Sequence, residues 1–163
     1  MELVQLTDGL RLGVRPITGA DAPALVAGFA RLSPRSRYLR FHAPRTGLSP
    51  EEVRWLTEVD GRDHVALAAF DGRKMVAVAR FVRSRAAPDT AEFALVVDDL
   101  LQQRGIATLL LDRLRQAALD LGVVRFTGQV LEENEAMLEL LRKLHARVGL
   151  PSLGVREASL LLS

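Results

Sequence analysis

Residues 91–121 read AEFALVVDDLLQQRGIATLLLDRLRQAALDL, and the order of events inside them decides the fold. Ala91 to Val97 alternates from side to side as a strand does. Ile106, Leu109, Leu110, Leu114, Ala117 and Leu121 recur at helical spacing and form one apolar stripe, which ends at Gly122. Between them lies the turn Gln102-Gln103-Arg104-Gly105-Ile106-Ala107, with small residues at Gly105 and Ala107. A helix starting at about Arg104 presents amides that lack intrahelical partners, together with the positive end of its dipole. Gly105 and Ala107 remove the side chains that would keep an anion at a distance. The stretch thus predicts strand, phosphate-cradling turn and helix, although a plain strand-to-helix turn can carry the same small residues.

Working outward, Leu10 to Arg15 is a strand candidate ended by Pro16. Thr18 caps a helix running to about Ala30, with Asp21 at the capping-box position and Pro23 in the first turn. Ser33-Pro34 opens a second helical piece, SPRSRYLRF, and Ser49-Pro50-Glu51-Glu52 a third, leading through Trp55 to about Val59. His64 to Phe70 and Lys74 to Val82 read as strands joined by a hairpin at Asp71-Gly72. After the central helix come a strand over Val123 to Val130, a helix over Glu133 to His145 and a strand over Val155 to Leu162. The order is strand, helices, three antiparallel strands, helix, strand, helix, strand. It predicts one α/β domain over 1–163, with a mixed, mostly antiparallel sheet flanked by helices.

Composition narrows the functional classes. At 163 residues, 48% hydrophobic and 26% charged, the chain fits one soluble domain with a sizeable core. No apolar run approaches the ~20 residues of a membrane span, and MELVQLTDG lacks the features of a signal peptide, so a cytoplasmic protein is expected. Without cysteine there is no disulfide framework, thiolate nucleophile or Cys-ligated metal. His42, His64 and His145 are too scattered for a metal site, and His64, opening a strand, reads as a packed or capping residue. Lys74 and Lys143 are the only lysines, yet the arginines are interspersed with acids rather than gathered in a basic stripe, so no nucleic acid is expected. There is no Gly-x-Ser-x-Gly elbow, P-loop or Gly-x-Gly-x-x-Gly.

The turn Gln102-x-x-Gly105-x-Ala107 resembles motif A of the GNAT superfamily of N-acetyltransferases, whose loop binds the pyrophosphate of acetyl-CoA. The resemblance extends over the element order from about Leu10 to the C-terminus. It includes Asn134-Glu135-Ala136-Met137, which looks like the family's Asn-led helix beside the pantetheine arm. LSPRSRYLRFHAPRTGLSPEEV and AEFALVV are most similar to the catalytic domain of bacterial protein lysine acetyltransferases of the cyclic-nucleotide-regulated type. No segment of the chain matches a nucleotide-sensing domain, so that regulation is not expected to carry over. The resemblance implies acetyl-CoA as donor, no metal, and an amine acceptor. The favoured acceptor is a protein lysine, with a small-molecule amine or a non-catalytic acyl-CoA-binding module as alternatives; a monomer or a homodimer is equally compatible. It also implies cofactor contacts: main-chain groups of Leu95 and Val97 pairing with pantetheine amides, amides of Gln103, Arg104, Gly105, Ile106, Ala107 and Thr108 on the pyrophosphate, and Asn134 on the pantetheine arm.

The acceptor's proton then selects a catalytic residue. A lysine amine has a pKa near ~10.4, so neutralising it at pH 7 costs about 4–5 kcal/mol. A base, or an environment favouring the neutral amine, is needed. Glu92 shares a strand face with Ala94 and Val96, which places a carboxylate among apolar neighbours. In the enzymes resembled, a glutamate at this point is the general base; a Glu paired with one of the many arginines is the competing expectation. The sequence departs from the family pattern at Leu141, where many members carry a tyrosine acid, and at His145-Ala146 in place of Gly-Phe. Arg35, Arg37 and Arg40, with Tyr38 among them, are expected to form a solvated helix face, or else to meet an acidic partner or RNA; the resemblance implies that these helices wall the acceptor site.

Overall fold

The computed structural model describes residues 1–163. Its strands are β1 (Glu2–Gln5), β2 (Arg11–Pro16), β3 (His64–Asp71), β4 (Lys74–Arg83), β5 (Thr90–Val97), β6 (Arg125–Leu131), β7 (Arg147–Val148) and β8 (Val155–Leu161). The helices are α1 (Ala22–Arg31), α2 (Pro34–Phe41), α3 (Pro50–Thr57), α4 (Ile106–Asp120) and α5 (Glu135–Lys143). One 8-stranded sheet runs β1-β2-β3-β4-β5-β6-β8-β7. Every pairing is antiparallel except β5 with β6. None of the helices is long and apolar enough to cross a membrane.

Strand alternation divides the side chains between two layers. Leu67, Ala79, Phe81, Phe93 and Phe126 pack with Ile106, Leu110 and Leu114 of α4. Ala66, Ala68, Val78 and Met75 pack on the other face with Ile17, Leu25 of α1 and Leu56 of α3. Burial of these apolar faces, at about 25 cal/mol per Å², drives the assembly.

The structure shifts several expected boundaries. Gly105 has φ +89° and caps α4, so the helix begins at Ile106 rather than at about Arg104. The Thr18 capping box closes a short 3-10 turn, Gly19–Asp21, and α1 proper starts at Ala22. Asp21 is drawn out of a purely capping role by Arg15, which donates to its two carboxylate oxygens at 2.7 and 2.6 Å. The last helix is shorter than Glu133 to His145: Asn134 caps it, and His145 leaves helical conformation at φ +60°. β1 and β7 were not anticipated. β1 is a nearly exposed edge strand with no buried alternation, and β7 spans 2 residues.

The pairing that matters most is the incomplete one. β5 pairs with β6 only from Thr90↔Arg125 to Glu92↔Thr127, after which the strands diverge. β5 continues to Val97 along β4, while β6 continues to Leu131 along β8. Gly128 sits just past the divergence, where a Cβ would lie 3.0 Å from the Phe93 ring. The ring occupies the space that a side chain on β6 would need.

Candidate active site

The divergence of β5 from β6 opens a groove of ≈ 800 Å³ lined by Arg40, Glu92, Leu95, Gly128, Asn134 and Met137 among others. The register of β5 tells which of its backbone groups face that groove. Asp98 N–H donates to Val76 O at 2.8 Å, so even-numbered positions bond to β4 and odd-numbered ones point away from it. The N–H and C=O groups of Phe93, Leu95 and Val97 therefore turn toward the missing strand. This edge can receive an extended chain carrying amides. The Val97 carbonyl already accepts from Gln102 Nε2 at 3.2 Å.

After β5 the chain makes the turn into α4. Gln103 has φ +63° and Gly105 φ +89°, with Arg104 between them on the negative side. Alternation of this kind turns successive N–H groups toward one concavity, and α4 adds its own unpaired amides and dipole. No amide from Gln103 to Thr108 donates to another protein group. Nothing lies within 4 Å of where a Gly105 Cβ would stand, so space above the turn is open. The Arg104 side chain turns away to Asp8 in the β1–β2 turn and leaves only its amide. An anionic diphosphate fits this cradle of amides, and a pantetheine arm fits the free β5 edge.

Asn134 lies on the groove wall, but its Oδ1 accepts from Met137 N–H at 3.2 Å and caps α5. Its amide nitrogen has no partner in the protein and is free for a ligand. Leu141, at the family's tyrosine position, is 0% exposed in the core and faces no part of the groove.

Glu92 stands at the mouth, exposed, on the face shared with Ala94 and Val96. It forms no ion pair. Arg40 of α2 is its cationic neighbour, and the Glu92 charge favours the charged guanidinium. Burial acts more strongly in the other direction and holds Arg40 below the usual guanidinium range.

Sequence reasoning missed Arg80. Its row across the sheet is Ala66↔Arg80↔Ala94, so small neighbours leave room for a guanidinium above the strands. Arg80 is 4% exposed. It donates from Nη1 to Leu56 O at 2.9 Å and approaches His64 Nε2 at 3.0 Å. Since arginine only donates, His64 Nε2 must accept, which fixes its proton on Nδ1. Burial and then the Arg80 charge push His64 down to about 4, and burial followed by Arg40 brings Arg80 down to about 9. The sequence signal was a lone arginine inside the apolar run Met75 to Val82.

The arginines of α2 are not one solvated face. Arg37 donates to the carbonyls of Phe29, Ala30 and Arg45, and Arg35 to that of Glu133. Arg40 points inward over the Phe41 ring, 4.7 Å from its centroid. No set of three or more His, Asp and Glu side chains is arranged to hold a metal ion.

Comparison with known proteins agrees with this fold. The family described as acetyltransferase (GNAT) domain matches residues 11–147. The chain belongs to the GNAT acetyltransferase family. Enzymes of this family take their acetyl group from acetyl-CoA. The chain is 33% identical over 154 residues to the acetyltransferase Pat of Mycolicibacterium smegmatis, covering 93% of this chain and 46% of that protein. The crystal structure of the GNAT domain of S. lividans PAT is 34% identical and superposes with a TM-score of 0.92, covering 98% of this chain and 96% of that one. A cAMP-binding acyltransferase from Mycobacterium smegmatis is 29% identical with a TM-score of 0.71, covering 99% of this chain and 47% of that one. The chain thus spans about half the length of the M. smegmatis proteins it matches.

Proposed function

We propose that this GNAT chain transfers acetyl from acetyl-CoA directly to the amine of a protein lysine, with Glu92 as general base. The observation that carries the reading is a carboxylate free of any ion pair at the mouth of the β5–β6 groove. Bound acetyl-CoA supplies the activated acetyl thioester. The amides of Gln103, Arg104, Gly105, Ile106, Ala107 and Thr108 hold its pyrophosphate. The main chain of Leu95 and Val97 aligns the arm as an added strand, and the Asn134 amide nitrogen donates to it. Glu92 takes the proton that the incoming amine must shed, directly or through water. Arg40 of α2 is the cationic neighbour of that carboxylate. On the leaving side no protein acid is assigned, and a thiol of pKa ~8.5 needs little help to depart.

The resemblance of 32–53 and 91–97 to bacterial protein lysine acetyltransferases, and the similarity to the two Pat proteins, favour a lysine acceptor. A small-molecule amine is the second reading, favoured by a mostly apolar, partly open cavity of ≈ 580 Å³ beneath α1–α3. Incubating a proteome with the protein and labelled acetyl-CoA, beside a panel of small amines, separates the two. Label on specific protein lysines supports the first; turnover confined to the amine panel replaces it with the second.

A further inference from the structure

The cavity beneath α1–α3 adjoins the groove, and Arg40 and Phe41 line both. Its walls are apolar, from Leu25, Phe29, Leu56, Val78 and Val96, but its floor and mouth are cationic. At the floor, Arg80 uses Nη1 on Leu56 O and His64, while its Nε and Nη2 have no acceptor in the protein and are not sealed off. At the mouth, Arg40 has neither a hydrogen bond nor an ion pair. Asp98 also lines the cavity, but it is already bound to Arg31 Nε at 3.1 Å and to Leu100 N–H at 3.0 Å. His64 carries no charge to spare, because its Nε2 faces a donor. Two guanidinium groups thus face one mostly apolar cavity, and neither is paired with a carboxylate. Desolvating such cations is costly, and a structure that does so leaves strong, charge-assisted donors for an incoming ligand.

We propose that Arg40 and Arg80 form an anion-reading subsite for a carboxylate on a short aliphatic stem, carried by a molecule that enters beside Glu92. The stem packs on the apolar walls and the carboxylate lies between the guanidinium groups. Two sources share this chemistry: an acidic group next to the acceptor's amine, or the far end of a dicarboxylic acyl group on CoA. Binding of the carboxylate stands on the cavity alone; its part in choosing a substrate rests on the acyl-transfer reading above.

The protein contains its own reporter. Trp55 is the sole tryptophan and its ring lies 4.5 Å from that of His64, which touches Arg80. Trp55 fluorescence is titrated with butyrate, with butyramide as the neutral isostere, and with chloride at equal ionic strength. The expected result is a saturable change with butyrate only, weakened at least tenfold in Arg40→Gln and partly restored in Arg40→Lys. A response equal for butyramide, a linear response, or one indifferent to Arg40→Gln overturns the subsite. Competition then names the source. Displacement of butyrate by succinyl-CoA but not acetyl-CoA assigns it to the acyl group; displacement by a lysine peptide flanked by Glu but not by Gln assigns it to the acceptor. If butyrate binds and neither displaces it, the role in substrate choice is overturned. None of these readings needs turnover, so a failure of acetyl transfer leaves the titration interpretable.

Discussion

On the α4 face of the sheet the chain offers backbone: unpaired amides from Gln103 to Thr108, set by the left-handed Gln103 and Gly105. On the opposite face it offers side chains: Arg40, Arg80 and Glu92, brought from α2, β4 and β5 to one place. The divergence of β5 from β6 joins the two, because it lets one extended molecule touch both faces. Backbone recognition suits a constant partner such as a diphosphate, since it asks little of side-chain identity beyond smallness. Side-chain recognition suits a variable partner, since a few substitutions on α1–α3 re-shape the cavity without disturbing the cradle. The two faces also differ in what they cost. The cradle is a surface turn in which Gln103, Gly105 and Thr108 are exposed, whereas Arg80 is buried and must be held by the Leu56 carbonyl and His64.

The sharpest way to break the contrast is at Gly105. Gly105→Glu puts a carboxylate into the open space over the cradle. Losing a pair of charge-assisted hydrogen bonds at about 1.5–3 kcal/mol each predicts a CoA affinity reduced roughly 100-fold or more by calorimetry. Gly105→Ala is the control: no atom lies within 4 Å of its Cβ, so it pays only for the left-handed backbone, about 1 kcal/mol. Equal losses in both variants would mean that backbone strain, not access to the amides, governs binding.

The opposite face should reveal itself through pH. His64 is held neutral, its pKa moved from the ordinary 6.5 down to about 4. The unfolded chain therefore takes up a proton below pH 6.5 that the folded one refuses until about pH 4. Stability is complete above 6.5 and falls as pH drops from there to about 4, by roughly 2 kcal/mol for a partly screened group. Denaturant melts across that window measure it, and His64→Asn flattens the slope there. A slope unchanged in the variant would assign the loss to other groups.

The smallest effect is expected away from both faces. His145 holds φ +60° just past α5, where its N–H bonds Arg142 O and Ala146 N–H bonds Leu141 O. His145→Gly relieves the left-handed backbone and is expected to raise stability by about 1 kcal/mol with no change in turnover. A loss of activity would show that His145 contributes more than a helix terminus.

The difference between the faces also explains what could be read from the residues. The cradle was legible because its parts are contiguous: a strand, Gly105, Ala107 and an apolar stripe within residues 91–121. Glu92 was legible because a carboxylate interrupts the apolar face of β5. The hairpin at Asp71-Gly72 announced itself through Gly72, which has φ +61°. The cationic cavity was not legible, because residues 64, 80 and 92 meet only through register, with Arg80 between Ala66 and Ala94 and Val82 between His64 and Glu92, and Arg40 joins them from helix α2. Nor does the composition of SPRSRYLRF distinguish Arg37, spent on carbonyls, from Arg40, which points inward. β1 left no trace in the pattern because it buries no alternate face.

The central claim is that Glu92 serves the proton while the other elements serve the carrier. Glu92→Gln keeps the size and hydrogen bonding of the side chain and removes its basicity. The measurement is paired: CoA affinity by calorimetry, and the rate of acetyl transfer as a function of pH, in wild type and variant. The account predicts an unchanged affinity and a transfer rate lowered on the order of 10²–10⁴-fold at neutral pH, recovering as pH rises toward the pKa of the acceptor amine. Transfer at the wild-type rate with the same pH profile would contradict it.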